Sequence, residues 1–418
     1  MVSLARKYLL EDIPRFLVAQ AGIMFAVTLV TLQTGVFNGF TRSTGQLIYN
    51  STADLWVASD SWVQLELTLP IPVSQVVTAQ NVQGVARAEG LTFSNALWRS
   101  SSGAITSVRV IGFNLKGQLF APVNIQQGSI SALAEPYTVF VDKTTLSSLG
   151  INKIGETVTV SGLPTRVVGF TQGNRSIVSN PFMFTSLETA NTYLTSGQVS
   201  NMTCRLPKGS EDLTCTNTYS KTLQPLTPVN PPPVPKKLVA SDLITYILIK
   251  AEPGQDLQVL KRRLQAALPN TRAFTRDELI KKNQTFWQKR TGVGFILGLG
   301  ALVGIIVGAV IVGQILYSSV SDHLKEFGTL KAMGVSDRVV YGVIIEQALW
   351  MAVLGYLPST LLCYGIATWT YTAKGILILI TPPLAIAIFA LTVTMCIGSA
   401  IFAIQKVTRL DPAMVFKS

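Results

Sequence analysis

The residues that could do chemistry are few in this chain of 418 residues. It has one histidine, His323, and four cysteines. The sequence contains no G-x-x-x-x-G-K-[S/T] phosphate loop, no H-E-x-x-H zinc motif and no G-x-S-x-G nucleophile motif, and its histidine and cysteines lack metal-ligand spacing. We therefore expect a protein that is not an enzyme, has no metal site or cofactor of its own, and takes the energy for any work from elsewhere.

Side chains open to covalent modification lie in a long, mostly polar segment, residues 42–290. Cys204 and Cys215 flank the turn-rich sequence L-P-K-G-S. In an oxidising compartment, a bond between them closes a small loop and stabilises the fold by about 2–3 kcal/mol in the chain-entropy model, so we predict a Cys204–Cys215 disulfide. Three N-x-[S/T] triplets, a pattern common by chance, begin at Asn50, Asn201 and Asn283.

The most specific stretch is residues 321–338, S-D-H-L-K-E-F-G-T-L-K-A-M-G-V-S-D-R. Its apolar residues recur at helical spacing beside two lysines, and Gly334 ends the run, which predicts a short amphipathic helix; an ordinary surface turn is the alternative. Placed between two apolar runs, such a helix gives a soluble partner a handle on a membrane domain. The residues of this pattern are Leu324, Phe327 and Leu330, with Lys325 and Lys331.

The stretch 321–338 lies between long runs without charged residues, and these runs must position it. Only 13% of residues are charged and 48% are hydrophobic, and each run exceeds the roughly 20 residues that a helix needs to cross a ~30 Å hydrocarbon core. Lys and Arg are dense in both tails and between the second and third runs, so we predict cytoplasmic termini and an external 42–290 segment. The exceptions to this charge rule are Lys281, Lys282, Lys289 and Arg290. The charge-free runs are 16–41, 291–321, 347–373 and 375–405.

The predicted membrane region therefore has four spans, at 16–41, 291–318, 341–373 and 375–405, with a cytoplasmic loop at 319–340 and a cytoplasmic tail at 406–418. Pro358 and the pair Pro382–Pro383 are expected to kink the third and fourth spans. Glu346 is expected to be a carboxylate near the inner surface rather than a proton carrier. Glycines four residues apart predict a helix-packing face, used either by a second copy or within the chain: Gly300, Gly304 and Gly308.

Two segments next to the spans each have two possible structural interpretations. Residues 1–15 mix charged and apolar side chains, which predicts an interfacial helix or a solvated tail. The apolar run that follows is too long for a cleavable signal peptide. Residues 277–290 contain no Gly or Pro, which predicts a stalk helix that continues into the second span, with Trp287 at the headgroup level; the alternative is a flexible tether.

The external segment repeats the order strand, helix, strand in two separated halves, which predicts that the helices of both halves pack onto one shared antiparallel sheet. We assign 42–120 and 236–276 to this α/β lobe. Short alternating strands with Gly-rich turns fill 121–235 and predict an inserted β-rich, barrel-like lobe. The two halves are at 55–58, 72–79 and 104–113, and at 246–249, 256–268 and 272–274; the inserted strands are at 138–141, 156–161 and 165–170.

The sequence K-E-F-G-T-L-K-A-M-G at 325–334 resembles the signature of the FtsX/MacB-type permeases, the membrane subunits of type VII ABC transporters. The resemblance covers nearly all of the chain, including L-D-P-A-M-V-F at 410–416, and the opening 4–16 is similar to the DevC-like subgroup. It implies a membrane α-helical protein with a large extracytoplasmic α+β domain of porter-like and sabre-like lobes. It also implies a multi-pass protein of the bacterial inner membrane.

The same resemblance implies a homodimer in which each copy docks one separate ATPase, because the ATPase domain that MacB carries is missing here. ATP and Mg would be bound by that partner, and its motion would be transmitted to the external domain to export a lipid-like or amphiphilic substrate. A periplasmic adaptor and an outer-membrane channel are the further partners implied. The implied ATPase-coupling residues are His323, Leu324, Lys325, Glu326, Phe327, Gly328, Leu330, Lys331, Met333 and Gly334.

Two other functions compete with export. An FtsX-like relay would use the same motion to control a cell-wall hydrolase outside, but its external domain is usually smaller. A secondary transporter or channel is disfavoured because the chain lacks inverted repeats and polar residues in the middle of its spans.

Overall fold

The computed structural model describes residues 13–196, 198–205, 214–221, 232–323, 326, 329, 333 and 335–408. The chain divides into two compact units. We call Met1–Thr41 with Gln288–Ser418 the helical unit, and Arg42–Trp287 the sheet domain. The predicted interfacial helix at 1–15 lies almost entirely outside the described residues, as does the tail from residue 409 onward.

The α-helices, in chain order, are α1 (Ile13–Thr44), α2 (Gln46–Tyr49), α3 (Ser74–Gln80), α4 (Leu146–Leu149), α5 (Leu187–Thr195), α6 (Leu257–Ala267), α7 (Arg276–Thr291), α8 (Val293–Asp322), α9 (Asp337–Lys374) and α10 (Pro382–Thr408). The strands are β1 (Leu55–Ser59), β2 (Ile71–Pro72), β3 (Val85–Arg99), β4 (Ile105–Phe113), β5 (Ile125–Gln127), β6 (Thr138–Asp142), β7 (Thr157–Val160), β8 (Leu163–Thr171), β9 (Phe182–Ser186), β10 (Gln198–Arg205), β11 (Thr214–Lys221), β12 (Leu243–Ile244), β13 (Tyr246–Ala251) and β14 (Thr271–Thr275).

Four helices in the described part of the chain are long and apolar enough to cross a membrane, which confirms the predicted number of spans. Small and branched apolar side chains fill the core of the helical unit, among them Ile23 of α1, Val312 of α8, Ala352 of α9 and Ala400 of α10. Helix α9, the third candidate span, continues through Pro358. The candidate spans are Phe16–Thr44, Val293–Asp322, Arg338–Ala373 and Pro382–Ile404.

The predicted fourth span is too long at its start. Residues 375–381 are not helical, and α10 begins at the proline pair that we expected to kink the span. Proline is well suited to the first turn of a helix because the amide that it lacks has no partner there. The segment is instead laid along α1, where Leu379 N–H donates to Gly35 C=O at 2.9 Å. The charge-free run in the sequence could not separate this extended stretch from helix.

The predicted continuous stalk is interrupted. Helix α7 confirms a helical link over 277–290, but Gly292 has φ +62° and separates α7 from α8. That left-handed conformation is one that glycine adopts without steric cost, so the single residue breaks the helix. The α8 ladder then restarts at Val293.

The two halves of the sheet domain do share one sheet, as predicted. Strand β1 pairs antiparallel with β13 on one side and with the edge strand β14 on the other, and β13 pairs with β3. Helices α3 and α6 pack on this sheet through a common core that includes Ala79, Leu260 and Leu264. Asp256 caps α6 by accepting from the N–H groups of Gln258 and Val259.

The inserted strands close a barrel. The pairings β3–β4, β4–β9, β9–β6, β6–β8, β8–β7 and β7–β3 form a ring, of which β4–β9 and β6–β8 are parallel. Its interior holds Trp98, Val110, Val141 and Val167. Because β3 and β4 belong both to this ring and to the neighbouring sheet, the predicted lobe boundary at residue 121 coincides with no break in strand pairing.

Candidate functional site

The predicted coupling residues lie in the loop between α8 and α9. Only some of them are among the residues that the structure describes. Glu326 and Thr329 have helical backbone, and Met333 N–H donates to Thr329 C=O at 3.0 Å. His323 Nδ1 lies 3.3 Å from Glu326 Oε1, one helical turn away. The Glu326 side chain is 53% exposed and Met333 is 68% exposed, so a charge and an apolar group both face outward here.

The other predicted coupling residues lie outside the described part of the chain, so their role stays a prediction. They are Leu324, Lys325, Phe327, Gly328, Leu330, Lys331 and Gly334.

The three glycines of α8 face other helices of the same chain. A Cβ at Gly300 would meet the side chain of Gln33, one at Gly304 would meet Leu29, and one at Gly308 would meet Ala26 and Met395. Between the two alternatives left open by the sequence, the structure therefore places this face in packing with α1 and α10.

The two cysteines of the polar segment lie opposite each other. Strands β10 and β11 form an antiparallel hairpin whose register pairs Cys204 with Cys215. Directly paired residues of antiparallel strands have Cα atoms about 4.5–5.5 Å apart, which is within the range of disulfides. The bond itself stays a prediction. Cys363 and Cys396, in α9 and α10, are free and buried.

A second site, at one end of the sheet domain, was not predicted. Asn283 of α7 is 1% exposed. Its Nδ2 donates to Thr44 C=O at 2.7 Å, and its Oδ1 accepts from Leu65 N–H at 2.9 Å. One side chain thus joins α7 to the last residue of α1 and to the loop 63–69. A buried amide with both ends bonded has no room for a glycan, so the triplet at Asn283 is not a glycosylation site.

The loop 63–69 is held tightly on its inner side. Tyr246 OH donates to Leu65 C=O at 2.7 Å and accepts from Trp62 Nε1 at 3.1 Å. Burial raises the pKa of Tyr246 far above its ordinary value, so the hydroxyl keeps its proton. Glu66 forms an ion pair with Arg109 of β4 at 2.5 Å, and both side chains are only 10% exposed.

The start of α7 is fastened as well. Thr275 and Glu278 form a reciprocal capping box, in which Thr275 N–H donates to Glu278 Oε2 and Glu278 N–H donates to Thr275 Oγ1. Lys261 of α6 binds the same carboxylate at 2.7 Å. Partial burial alone would raise the pKa of Glu278, but the hydrogen bonds from Lys261, Thr275 and Gln258 outweigh burial and hold that pKa below its usual value.

At this end of the sheet domain, the place where the chain enters is hydrogen-bonded to the place where it leaves. The chain enters the domain next to Thr44 and leaves it along α7, and Asn283 ties these two places together. Arg276 adds a second tie by donating to Tyr49 C=O at 2.7 Å. Among the described residues, no group of three His, Cys, Asp or Glu side chains could hold a metal ion.

One apolar helix, a large domain with a sheet and a barrel, and three further apolar helices define a multi-pass membrane protein with a bulky domain outside its spans. Two family models match this arrangement in order. The model described as MacB-like periplasmic core domain matches residues 16–267, and that described as FtsX-like permease C-terminal matches residues 298–412. The chain therefore belongs to the FtsX/MacB-type permeases of type VII ABC transporters.

Curated relatives agree at low identity. A probable export ATP-binding/permease protein of Pseudomonas fluorescens is 20% identical over 366 residues, which cover 84% of this chain and 50% of the relative. An uncharacterized ABC transporter permease of Mycobacterium tuberculosis is 27% identical over 112 residues, covering 27% of this chain and 31% of the relative. The chain thus spans about half the length of the first relative and less than a third of the second.

Two solved structures are similar to about half of this chain. The periplasmic region of MacB from Actinobacillus actinomycetemcomitans has a TM-score of 0.36 and 12% identity, covering 56% of this chain and 94% of that one. The extracellular domain of the noncanonic ABC-type transporter YknZ from Gram-positive bacteria has a TM-score of 0.32 and 11% identity, covering 54% and 100%. The family assignment rests on the two family models.

Proposed function

We propose that this chain is the permease subunit of an ABC exporter, in which a separate ATPase drives motion that the helical unit transmits to the sheet domain. The ATPase docks on the loop 319–340, and the sheet domain expels a lipid-like or amphiphilic substrate. The membership of the chain in the FtsX/MacB-type permeases carries this proposal. ABC permeases work with an ATP-binding partner, and these 418 residues contain no phosphate-binding loop.

The partners and the membrane orientation that we propose follow from the family resemblance, and the docking surface follows from the loop 319–340. ATP and Mg are bound by the partner ATPase, two copies of the chain form the working unit, and a periplasmic adaptor with an outer-membrane channel completes the export route in the DevC-like manner. The chain lies in the bacterial inner membrane with both termini in the cytoplasm. Glu326 and Met333 support the docking role because both are exposed in the loop.

ATP hydrolysis in a reconstituted complex tests the proposal. The full chain is inserted into liposomes with an ATPase encoded beside it, and hydrolysis is compared with that of the ATPase alone. We expect the two proteins to purify together and hydrolysis to rise several-fold when the permease is present. Failure of any neighbouring ATPase to bind the chain or respond to it contradicts the proposal.

The relay function is the second candidate, and the same complex separates it from export. An exporter should release a lipid-like substrate from the liposomes in an ATP-dependent manner. A relay should instead activate a cell-wall hydrolase added on the side of the sheet domain, without any release of lipid.

A further inference from the structure

The loop 63–69 presents apolar side chains outward from a rigid base. Val63 is 46% exposed, Leu67 is 56% exposed and Leu69 is 58% exposed. The turn is closed by Leu67 N–H donating to Gln64 C=O at 2.9 Å and by Val63 N–H donating to Leu67 C=O at 3.0 Å. The hydrogen bonds fix the backbone of the loop, so these apolar side chains stay exposed to solvent. Exposed apolar patches mark contact surfaces.

The only acidic residue of this loop is turned away from that surface. Glu66 is paired with Arg109, and each side chain is 10% exposed. Its backbone N–H donates to Gln64 Oε1 at 2.8 Å, so the turn also satisfies this amide within itself. The exposed face therefore offers apolar groups without a competing carboxylate, which suits a partner as apolar as lipid.

The base of the loop also fixes its distance from a candidate span. Leu65 N–H is bound to Asn283, and Asn283 is bound to the carbonyl of Thr44. Thr44 is the last residue of the candidate span Phe16–Thr44. A single amide side chain therefore joins the backbone of the loop to the last residue of that candidate span.

Basic residues complete the composition of a membrane-surface site. Lys281 and Lys282 are exposed and directly precede Asn283 in α7. Exposed lysine side chains and exposed leucine and valine side chains are both typical of segments that lie in the interface, where anionic headgroups attract the cations and acyl chains receive the apolar groups.

We propose that the loop 63–69 inserts Val63, Leu67 and Leu69 into the lipid surface on the side of the sheet domain, with Lys281 and Lys282 on the headgroups. The loop then keeps the base of the sheet domain in contact with the bilayer. The proposal goes beyond export, since a relay of the same family would carry the same contact.

Fluorescence quenching in nanodiscs tests this contact with the full chain alone. A cysteine replaces Leu67 in one variant (Leu67→Cys) and Val77 in the control (Val77→Cys); Val77 lies on α3 and is 65% exposed. Each is labelled with an environment-sensitive dye, and the native chain treated in the same way gives the background. Lipids carrying a spin label near the headgroup should quench the dye at position 67 roughly twofold or more beyond that at 77, and aqueous iodide should do the reverse.

Two results overturn the proposal. Equal iodide quenching at both positions, with no effect of the spin-labelled lipid, would place the loop in water. Efficient oxidative cross-linking of Leu67→Cys to itself would show that a second copy of the chain covers the loop. Because no ATPase is present, a negative result here leaves the proposed export function standing.

Discussion

Glu278 performs two tasks that substitutions can separate. As a glutamine it would still complete the capping box of α7, but it would lose the charge that attracts Lys261. The carboxylate is 33% exposed and so partly screened, which limits the loss to about 0.5–1 kcal/mol. We expect Glu278→Gln to lower the apparent melting temperature of the full chain in detergent by about 1–2 °C at neutral pH. Tryptophan fluorescence during heating measures this.

The pH dependence of the Glu278→Gln effect has a definite sign. The pKa of Glu278 is lower in the folded chain than in the unfolded chain, so the ionised carboxylate stabilises the fold above the unfolded pKa. That contribution is lost as the pH falls through the folded pKa. The difference in apparent melting temperature between the native and Glu278→Gln chains should therefore disappear in acid. An exposed control, Glu252→Gln, should show no gap at either pH, and a gap that persists in acid contradicts the assignment.

Asn283 is expected to be the more costly side chain to remove. Asn283→Ala removes the hydrogen bonds to Thr44 C=O and Leu65 N–H, and each lost hydrogen bond to a buried group costs about 1–3 kcal/mol. We expect the apparent melting temperature to fall by roughly 5 °C or more. Asn95→Ala, on an exposed position of β3, is the matched control and should leave it unchanged. Equal melting temperatures for the two variants would show that Asn283 does not stabilise the contact between α1, α7 and the loop 63–69.

The importance of Asn283 was not readable from the sequence. There it is the first residue of a chance N-x-[S/T] triplet and a weak helix former. Its partners Thr44 and Leu65 are 239 and 218 residues away along the chain, and one sequence carries no record of such distant contacts. The ion pair of Glu66 with Arg109 was missed for the same reason. The T-x-x-E box at Thr275 is local, and it could have been predicted from spacing alone.

The extended segment 375–381 depends on small residues in α1. A Cβ on Gly39 would collide with the backbone carbonyl of Leu377, which cannot move aside as the end of a side chain can. Gly39→Ala should therefore cost about 1–3 kcal/mol by overpacking and lower the apparent melting temperature by roughly 3 °C or more. Gly298→Ala is the control, because nothing lies within 4 Å of its added Cβ. A Gly39→Ala chain that melts with the control would show that the segment can shift freely.

The hairpin of β10 and β11 gives a direct test of the predicted disulfide. Alkylation of the purified chain without reduction, followed by proteolysis and mass analysis, should yield one peptide pair joined through Cys204 and Cys215. Reduction should split it, and Cys204→Ser should abolish it while leaving Cys215 open to alkylation. Recovery of both cysteines as separate alkylated peptides from the native chain contradicts the pairing that the register allows.

Elements with a simple periodic pattern were predicted well, and elements without one were not. The strand β4, the helix α6 and the antiparallel sheet shared by the two halves followed from alternation, apolar spacing and the repeated order of elements. The long strand β3 was missed because Arg87, Glu89 and Gly90 interrupt its apolar alternation, although it lies at the centre of the sheet. Only the pairing with β4 and β13 makes it a strand, and that is a tertiary effect.

The whole chain is organised around the contrast between its two units. The helical unit contains four candidate spans, and the sheet domain has its own cores and its own buried ion pair. The order of one span, a large domain and three spans was predicted from charge distribution alone, because exclusion of charge from hydrocarbon is the strongest constraint on the sequence. The coupling loop was predicted by resemblance, and most of its residues lie outside the described part of the chain.

The proposed transmission of motion from the ATPase to the sheet domain can be tested in the complete complex. Glu326→Lys reverses an exposed charge in the loop that is proposed to dock the ATPase, whereas Glu252→Lys reverses an exposed charge in the sheet domain. A dye on Ile105→Cys, which is 55% exposed, would report ATP-dependent movement in liposomes. We expect Glu326→Lys to abolish the ATP-dependent signal while the chain keeps its melting temperature, and Glu252→Lys to keep both. An unchanged signal in Glu326→Lys would mean that force enters the permease elsewhere.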